Sequence, residues 1–532
     1  MRIVQSFWSL PGKHNPIQDD FGRNGGGWPS ERYHAMSWAL SCLTFGRFYK
    51  QVELYTDTDG VDWLINRLGL PYSNVVNKLD QINGYNTSLW ALAKIFTCLQ
   101  QDAPFLHADG DVYIWEPFEP GFLDSPVFAQ NIEYELAGDP IGIYAPSITR
   151  LQAISSNLPP FLDQSEKSYR EKGRIDAINT GILGGQNVQF LRNYAQFIFD
   201  FLDRSDQVGF ASSDMNTIEQ LVLYGFAEKE NIPIRLLFGD EKAVSPTAYS
   251  SMIQFNLAPM LKKYIHLVGY AKKRMECCSQ VELRLKYEFP KEYRHIDLLY
   301  KTPYTDYPKK QPAEPRDPDL GNVFAATRSL LPRQAKDYDP VTSSFTTVVE
   351  EILNEEESSD VKQLLSDVYQ IEKFHLARAT HNNTRQEATQ VDGRLLDLLY
   401  RSEPSEFLDH KFTLNTSVVK TALLNFRFPS EISVADLITT IPRLVKNDSE
   451  DQQDLVLLKM GDDDMVHSRA LSGWDILLVY FDGEEVSGND LIRLLKEGGL
   501  HEGKDIEDLS IFVLSFLTIN SLYLNYLKLA GH

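Results

Sequence analysis

The run Phe105-Leu106-His107-Ala108-Asp109-Gly110-Asp111-Val112-Tyr113-Ile114-Trp115 constrains this chain more than any other stretch. Mostly apolar residues lead to Asp109 and apolar residues resume after Asp111, a pattern that sets two carboxylates at the end of a buried strand. Gly110 between them lets the backbone bend closely around whatever the acids hold. Two hard oxygen ligands, with positions left for water and phosphate, suit Mg²⁺ or Mn²⁺. An acidic pair also fits a helix cap or a turn, so its meaning depends on what the rest of the chain brings to it.

The first third alternates strand-like and helix-like segments, which predicts an α/β fold with a mostly parallel sheet. Ile3–Trp8 reads as the first strand and Gln51–Thr56 as the second, with a helix between them that starts at Ser30 as N-cap and runs to Phe48. Pro11–Pro29, containing Asn24-Gly25-Gly26-Gly27-Trp28, is too long for a plain connector and is placed to lie against a ligand. Asp57-Thr58-Asp59-Gly60 ends the second strand in a turn that either caps a helix over Val61–Leu68 or meets a ligand. A helix over Ser88–Leu99 feeds the acidic strand, and its one charge, Lys94, either snorkels to water or reaches a phosphate.

Ile178–Gly185 reads as a strand whose glycines mark either a close approach or a bulge, and Val188–Leu202 as an amphipathic helix. The segment Ser212–Tyr224 carries Ser213, Asp214, Asn216, Glu219 and Gln220 before it turns apolar, as a helix does when its first turns face a cleft. In Tyr264–Lys273, His266 ends a short strand, Gly269 permits a turn and Lys272 lies three residues farther on. Taken alone, His266 is more often a satisfied histidine than a ligand.

A chain of 532 residues exceeds one ordinary core, so two or three domains are expected. Pro303, Pro308, Pro312, Pro315 and Pro318 punctuate an extended, solvated stretch that divides them. The predicted organisation is an α/β domain over 1–295, a linker over 296–330 and an acidic, mainly helical domain over 331–532. The net charge is −22, and the part from Leu331 onward, with 19 Lys and Arg against 35 Asp and Glu, contributes −16 of it. That balance argues against nucleic acid as a partner, because phosphate contact needs clustered cations. Cys42, Cys98, Cys277 and Cys278 have no metal-ligand spacing and fit a reducing compartment. The first residues pass into a strand without the apolar core of a signal peptide, so a cytoplasmic protein is expected.

In the last third, Thr346–Asp367 and the stretch to Tyr400 read as helices, with Glu355-Glu356-Glu357 on a solvated face. Glu431–Ile438 and Glu485–Ile492 look like a repeat offset by 54 residues. Each has a serine before a short helix and an apolar stretch upstream, Ala422–Phe428 or Trp474–Phe481. In pattern this resembles a pair of winged-helix units near 411–450 and 465–500, similar to the small PqqD-like domains that bind leader peptides. The acidity favours a protein or peptide partner over DNA. Leu509–Leu527 has no charge, but its Ser, Thr, Asn and Tyr residues favour a buried or partner-facing helix over a membrane contact.

Taken together, the first 290 residues resemble the glycogenin-like, family-eight glycosyltransferases and related GT-A enzymes. The resemblance rests on the order of an N-terminal strand, a helix with a basic residue, Asp109-x-Asp111, Asn179-Thr180-Gly181, an acid-glutamine pair and His266-x-x-Gly269-x-x-Lys272. It implies a GT-A, Rossmann-like domain in which Asp109, Asp111 and His266 bind Mn²⁺ or Mg²⁺ and Gly269 and Lys272 hold a nucleotide-sugar diphosphate. By the same resemblance Asp109 also touches the ribose or sugar, and Lys94 stands for a basic residue that reaches the donor. Asn179 lines the sugar site, and Glu219-Gln220 occupies the family's Asp-Gln position near the reacting carbon; Asp214 is a weaker choice for that role.

Two departures stand out. Lys273-Arg274 replaces a frequent Pro-Trp, and the first strand lacks the small residues that accept a uracil ring, which leaves the base open. The implied activity is metal-dependent transfer from a nucleotide-sugar, a UDP-sugar first among them, with retention. The acceptor would be a peptide, protein, glycan or lipid-linked sugar presented by the C-terminal domain. The alternatives are a non-catalytic partner-binding protein on the same scaffold and a sugar-phosphate nucleotidyltransferase, for which Asn24–Gly27 lacks basic residues.

Overall fold

The computed structural model describes residues 1–14, 26–138, 142–154, 158–205, 209–238, 253–300, 324–336, 338–339, 342–355, 359–379, 393–446, 454–460, 465–498 and 506–530. It divides into two units, Met1–Thr302 and Pro303–His532. In the first, β1 (Arg2–Phe7), β2 (Val52–Thr56) and β3 (Asn74–Asn77) run parallel, and β4 (Phe105–Ala108) runs parallel to β1 on its other side. The apolar run broken at the acids becomes two strands, because β5 (Val112–Ile114) leaves the main sheet. With β6 (Val127–Leu136), β7 (Arg174–Gly185) and β8 (Ile234–Leu236) the main sheet has seven strands in the order β3-β2-β1-β4-β7-β6-β8. It is mixed, with β7 antiparallel to both β4 and β6. The expected α/β class with a parallel-containing sheet is therefore present.

Ile3, Val4, Leu54, Phe105 and Leu106 are all buried, as central strands covered on both faces require. Ser30 caps the Glu31–Phe48 helix, its side chain accepting from the Tyr33 N–H. Asn187 does the same for Val188–Leu202 through Phe190. The helix before the acidic strand is shorter than its pattern, Leu92–Leu99, because Asn86 accepts from the Ser88 N–H at 2.8 Å and turns the chain there instead. Asp57 resolves to the structural role. It is buried, accepts from Gly60 N–H, Ser9 N–H and the Ser9 hydroxyl, and has no oxygen to spare for a ligand. Most of the predicted Pro11–Pro29 loop lies outside the described residues; its start, Leu10–His14, is a short helix.

Gly110 serves an end other than the predicted one. A Cβ there would lie 2.6 Å from the Trp38 ring, so the glycine admits an indole of the Glu31–Phe48 helix beneath the acids.

The boundary is narrower than the 296–330 linker. Pro290–Leu299 is still a helix of the first unit, and Ala325–Leu330 is already a helix of the second. Its first N–H groups, those of Ala326 and Thr327, donate to buried Glu372 at 3.0 and 2.8 Å. The five prolines lie outside the described residues.

The second unit has the expected helices, Ser343–Leu353, Asp360–Ala379 and Gly393–Arg401, but it also carries sheets that the reading as a mainly helical domain left out. β10 (Lys411–Leu414) sits between β17 (Val486–Ser487) and β18 (Leu527–Leu529). β11 (Val419–Leu424), β15 (Asp454–Met460), β16 (Val466–Ala470) and β13 (Glu431–Ile432) form an antiparallel sheet in that order. β12 (Phe426–Arg427) pairs with β14 (Val445–Lys446).

The proposed repeat is not a structural one. In the first copy the apolar stretch is strand β11 running into β12, and Ser433 makes no cap bond. In the second it is a 3-10 helix, Gly473–Phe481, and Ser487 forms a full capping box with Asp490 at the head of Gly488–Glu497. Of the predicted Glu355-Glu356-Glu357 face, the last two residues lie outside the described ones. The uncharged segment Leu509–Leu527 is helical only at first: the helix Ile506–Thr518, with Val513, Leu514 and Leu517 buried, runs into a π-helical turn, Ile519–Tyr523, and the segment ends at the first residue of β18. No helix among the described residues is long and apolar enough to cross a membrane.

Asp367 ties the Asp360–Ala379 helix to the β11–β12 corner. Fully buried, it accepts from Asn425 N–H (2.7 Å), Asn425 Nδ2 (2.9 Å) and Phe426 N–H (2.8 Å). Asp367→Ala is expected to cost on the order of 2–3 kcal/mol by stranding those donors, and to speed amide exchange at Asn425 and Phe426 in hydrogen-exchange mass spectrometry. Burial pushes the Asp367 carboxyl up to about 6, against the three donors. Its contribution is thus fully present below the unfolded carboxyl range and is lost as pH rises through about 6, so the wild-type corner, after division by the intrinsic base-catalysed exchange rate, should be less protected at pH 7 than at pH 5.

Candidate metal and diphosphate site

The strand order reverses at β1, which has β2 on one side and β4 on the other, so the carboxyl ends of β1 and β4 flank the topological switch point, the place where ligands of open α/β sheets bind. Asp109-Gly110-Asp111 lies there, as the link between two sheets. β5 pairs antiparallel with β9 (Tyr264–His266), in the register Val112 opposite His266, and this brings a histidine from 155 residues downstream to the side of Asp111. One ligand atom from each of Asp109, Asp111 and His266 lies within 4.8 Å of the others.

The two carboxylates are held differently. Asp111 points Oδ1 at His266 Nε2 (3.5 Å) and Oδ2 at Lys272 Nζ (2.6 Å). Burial opposes its ionisation, but the Lys272 ammonium outweighs burial and holds it well below the usual carboxylate range. Lys272 also donates to the Gly26 carbonyl at 3.2 Å, at the described end of the glycine loop. Gly269 opens the turn that carries Lys272 with φ +49°, a conformation that favours glycine. Asp109 donates its N–H to Gly181 O at 2.9 Å, and its carboxyl is pushed up by burial and by Asp111 and Glu219, against the pull of Lys94.

Lys94 does not snorkel to water. Its side chain is 5% exposed, and Nζ meets Asp109 Oδ1 (2.9 Å), Glu219 Oε1 (2.7 Å) and Thr180 O (2.8 Å). Burial works to lower its pKa, and the two carboxylates reverse that and raise it. Glu219, likewise 1% exposed, is the counter-charge of Lys94 and is also bonded to the Thr180 hydroxyl. That geometry sets it apart from the reacting-carbon role that the resemblance gave it. Asp214 is fully buried and taken up by Ser147, Arg150 and the Ala211 N–H.

Asn179 and Gln220 are brought together, through two residues the sequence reading passed over. Asn179 Nδ2 donates to Glu133 Oε1 at 2.5 Å, while its Oδ1 accepts from Gly181 N–H. The Tyr144 hydroxyl lies 2.9 Å from Glu133 Oε2 and 2.5 Å from Gln220 Oε1. Gln220 is partly exposed in the π-helical turn Thr217–Leu221 of a helix that runs from Asp214–Asn216 through it to Val222–Glu230. A third residue outside the sequence motif is Gln130, which lies against Nδ1 of His266. None of the three lies near an Asp-x-Asp or a His-x-x-Gly in the chain, so spacing carried no signal for them.

Gly181 is the residue that makes room. A Cβ on it would sit 2.3 Å from His266 Cε1 and 2.6 Å from Gln130 Oε1. Gly181→Ala should therefore displace the His266 ring from Gln130, read as shifted His266 ring signals in ¹H–¹⁵N spectra, with the sheet still formed by circular dichroism.

Residues 1–299 match the model of a family of unknown function (DUF6734); the match spans more than half of the chain and closely follows the first unit, and the chain belongs to that family. No curated protein matches it.

Proposed function

We propose that the first unit is a metal-dependent glycosyltransferase of the GT-A kind, with a nucleotide-diphosphate sugar, a UDP-sugar first, as donor. The observation that carries this reading is the meeting of Asp109, Asp111 and His266 within 4.8 Å beside Lys272. Two carboxylate oxygens and one imidazole nitrogen suit Mn²⁺ or Mg²⁺ and leave coordination positions for phosphate oxygens. The topological switch point at the strand reversal supports the same reading, because ligands of open α/β sheets bind there.

When bound, the ion would supply positive charge for the departing diphosphate. Lys272 adds a mobile ammonium on the same side and stabilises the leaving group electrostatically. Lys94 holds Asp109 in place from below. As the glycosidic bond breaks, the sugar gains oxocarbenium character, and the Gln220 carbonyl, oriented by Tyr144, lies with Asn179 and Glu133 in a polar group suited to a sugar ring and its hydroxyls. Retention, and an acceptor peptide, protein, glycan or lipid-linked sugar recognised by the C-terminal unit, complete the reading. Four free, buried cysteines accord with a reducing, cytoplasmic setting.

A second reading is favoured by one specific observation: both carboxylates already carry a lysine, Asp109 through Lys94 and Asp111 through Lys272. Such a charge-balanced site suits a non-catalytic protein that captures a partner with its acidic half. Calorimetric titration of UDP with Mn²⁺, and again with EDTA, on wild type, Asp111→Ala and His266→Ala separates the two. Metal-dependent binding that both substitutions abolish supports the transferase, and a screen of UDP-sugars for hydrolysis and transfer follows. Failure of UDP and then GDP to bind in the presence of Mn²⁺ favours partner capture.

A further inference from the structure

The hydrogen bonds behind His266 have a direction, and a backbone carbonyl sets it. The Ile132 carbonyl can only accept, so the Asn131 group 2.9 Å from it is Nδ2, the donor. Asn131 Oδ1 must then face the other way, where Gln130 Nε2 donates to it at 2.9 Å. That leaves Gln130 Oε1 pointing at His266 Nδ1, 2.7 Å away, and the Tyr264 hydroxyl donates to the same oxygen at 2.5 Å. An oxygen in that position requires a hydrogen on Nδ1. The remaining nitrogen, Nε2, keeps its lone pair and faces Asp111 Oδ1 at 3.5 Å, within the ligand cluster.

We infer that Gln130 and Asn131 are positioning residues, a polarity relay from the Ile132 carbonyl that fixes the tautomer of His266 and keeps Nε2 free to bind a metal ion. The backbone is built for it. The pairing of β6 with β7 slips between Ala129 and Asn131, and a bulge of this kind turns a side chain out of its regular alternation. Gln130 and Asn131, adjacent in the chain, are thereby able to bond to each other side chain to side chain. Gly181 on β7 leaves the space in which the Gln130 amide and the imidazole meet. The Gln130, Asn131 and His266 side chains are buried, which limits competition from water for the bonds between them, while Ile132 and Tyr264 at the edge of the relay are half-buried. Second partners of ligating histidines typically change metal affinity by about 10–100-fold when removed.

The tautomer follows from hydrogen bonds alone, whereas its use in metal binding rests on the proposed function, and two measurements on the full chain keep these apart. The first is long-range ¹H–¹⁵N spectroscopy of metal-free, ¹⁵N-histidine protein at about pH 8.5, two units above the ordinary imidazole range, with His266→Ala to assign the ring. The wild type is expected to show a protonated Nδ1; Gln130→Glu, which keeps an acceptor, should show the same. Gln130→Met and Asn131→Ala, which remove the acceptor or free the amide to turn, should show a mixture or the opposite tautomer. A wild-type ring protonated on Nε2, or a Gln130→Met ring unchanged from wild type, overturns the relay, and the wild-type spectrum decides even if a variant fails to fold. The second is Mn²⁺ titration, in which Gln130→Met should lose about 10–100-fold in affinity and Gln130→Glu should not. Equal Mn²⁺ affinity in wild type and Gln130→Met overturns the positioning role. A wild type that has the expected tautomer but binds no Mn²⁺ overturns the metal reading and leaves the relay standing.

Discussion

Lys94→Met is expected to destabilise the first unit by about 3–5 kcal/mol, the cost of leaving buried charges without their partner. The methionine matches the lysine stem in volume, so packing changes little, and the loss is electrostatic. Asp109, Glu219 and the Thr180 carbonyl would all lose the ammonium they share, and of the two carboxylates Glu219 would keep the Thr180 hydroxyl. The pH dependence gives the cause away. Burial already raises the Asp109 pKa in the wild type, and Lys94 is what restrains it. Without Lys94 the folded pKa climbs further above the unfolded value, so stability is kept at acid pH, where the carboxyl is protonated, and is lost as pH rises. The deficit of the variant in urea denaturation should accordingly be larger at pH 8 than at pH 5. Adding Glu219→Gln to Lys94→Met should recover part of it, because one stranded charge is removed, whereas Glu219→Gln alone should destabilise. A deficit that is the same at both pH values would mean that Lys94 supports the strand by packing and not by charge.

How far this site can be read from the sequence depends on the range of the force concerned. Alternating apolar residues and local caps act over a few positions, so β1, β2, the Ser30 cap and Val188–Leu202 are legible almost to the residue. Asp109, Asp111, His266 and Lys272 are legible as ligand types in an order, and the pairing of β5 with β9 puts them together. Burial is not legible in that way. Lys94 and Glu219 look like groups that could touch a substrate, and only the three-dimensional structure encloses them with Thr180 and makes them each other's partners. Gln130 carries no motif, because its role comes from a register slip in β6 that no local pattern announces. In the second unit, short strands such as β13 and β17 are two residues long, and a serine before apolar residues reads as a helix cap whether or not a strand stands upstream. The apparent repeat pairs Ser433, which makes no cap bond, with Ser487, which does.

Lys272→Met should uncouple metal binding from diphosphate binding. The Lys272 ammonium is 2.6 Å from Asp111 Oδ2, while Oδ1 of the same carboxylate faces His266, where the proposed function places the ion. A divalent cation arriving alone meets a carboxylate whose charge is already compensated and an ammonium that repels it. A diphosphate arriving with it reverses the balance, because Lys272 then has an anion to hold and Asp111 is left to the ion. Coupling of this kind typically amounts to about 1–3 kcal/mol, or about 5–150-fold in affinity, and it is reciprocal. In the wild type, UDP should therefore tighten Mn²⁺ binding by a factor in that range, and Mn²⁺ should tighten UDP binding by the same factor. In Lys272→Met, Mn²⁺ without UDP should bind more tightly than to wild type, since Asp111 is uncompensated, while UDP in saturating Mn²⁺ should bind more weakly. The opposite directions of these two changes are the signature, because a variant that was merely misfolded would lose both affinities together. Arginine at 272 should keep the coupling in part, since it preserves the charge and alters only its reach. If Lys272→Met left the ratio of Mn²⁺ affinities with and without UDP unchanged, Lys272 would be a fixed partner of Asp111, and the charge-balanced, non-catalytic reading of the site would gain.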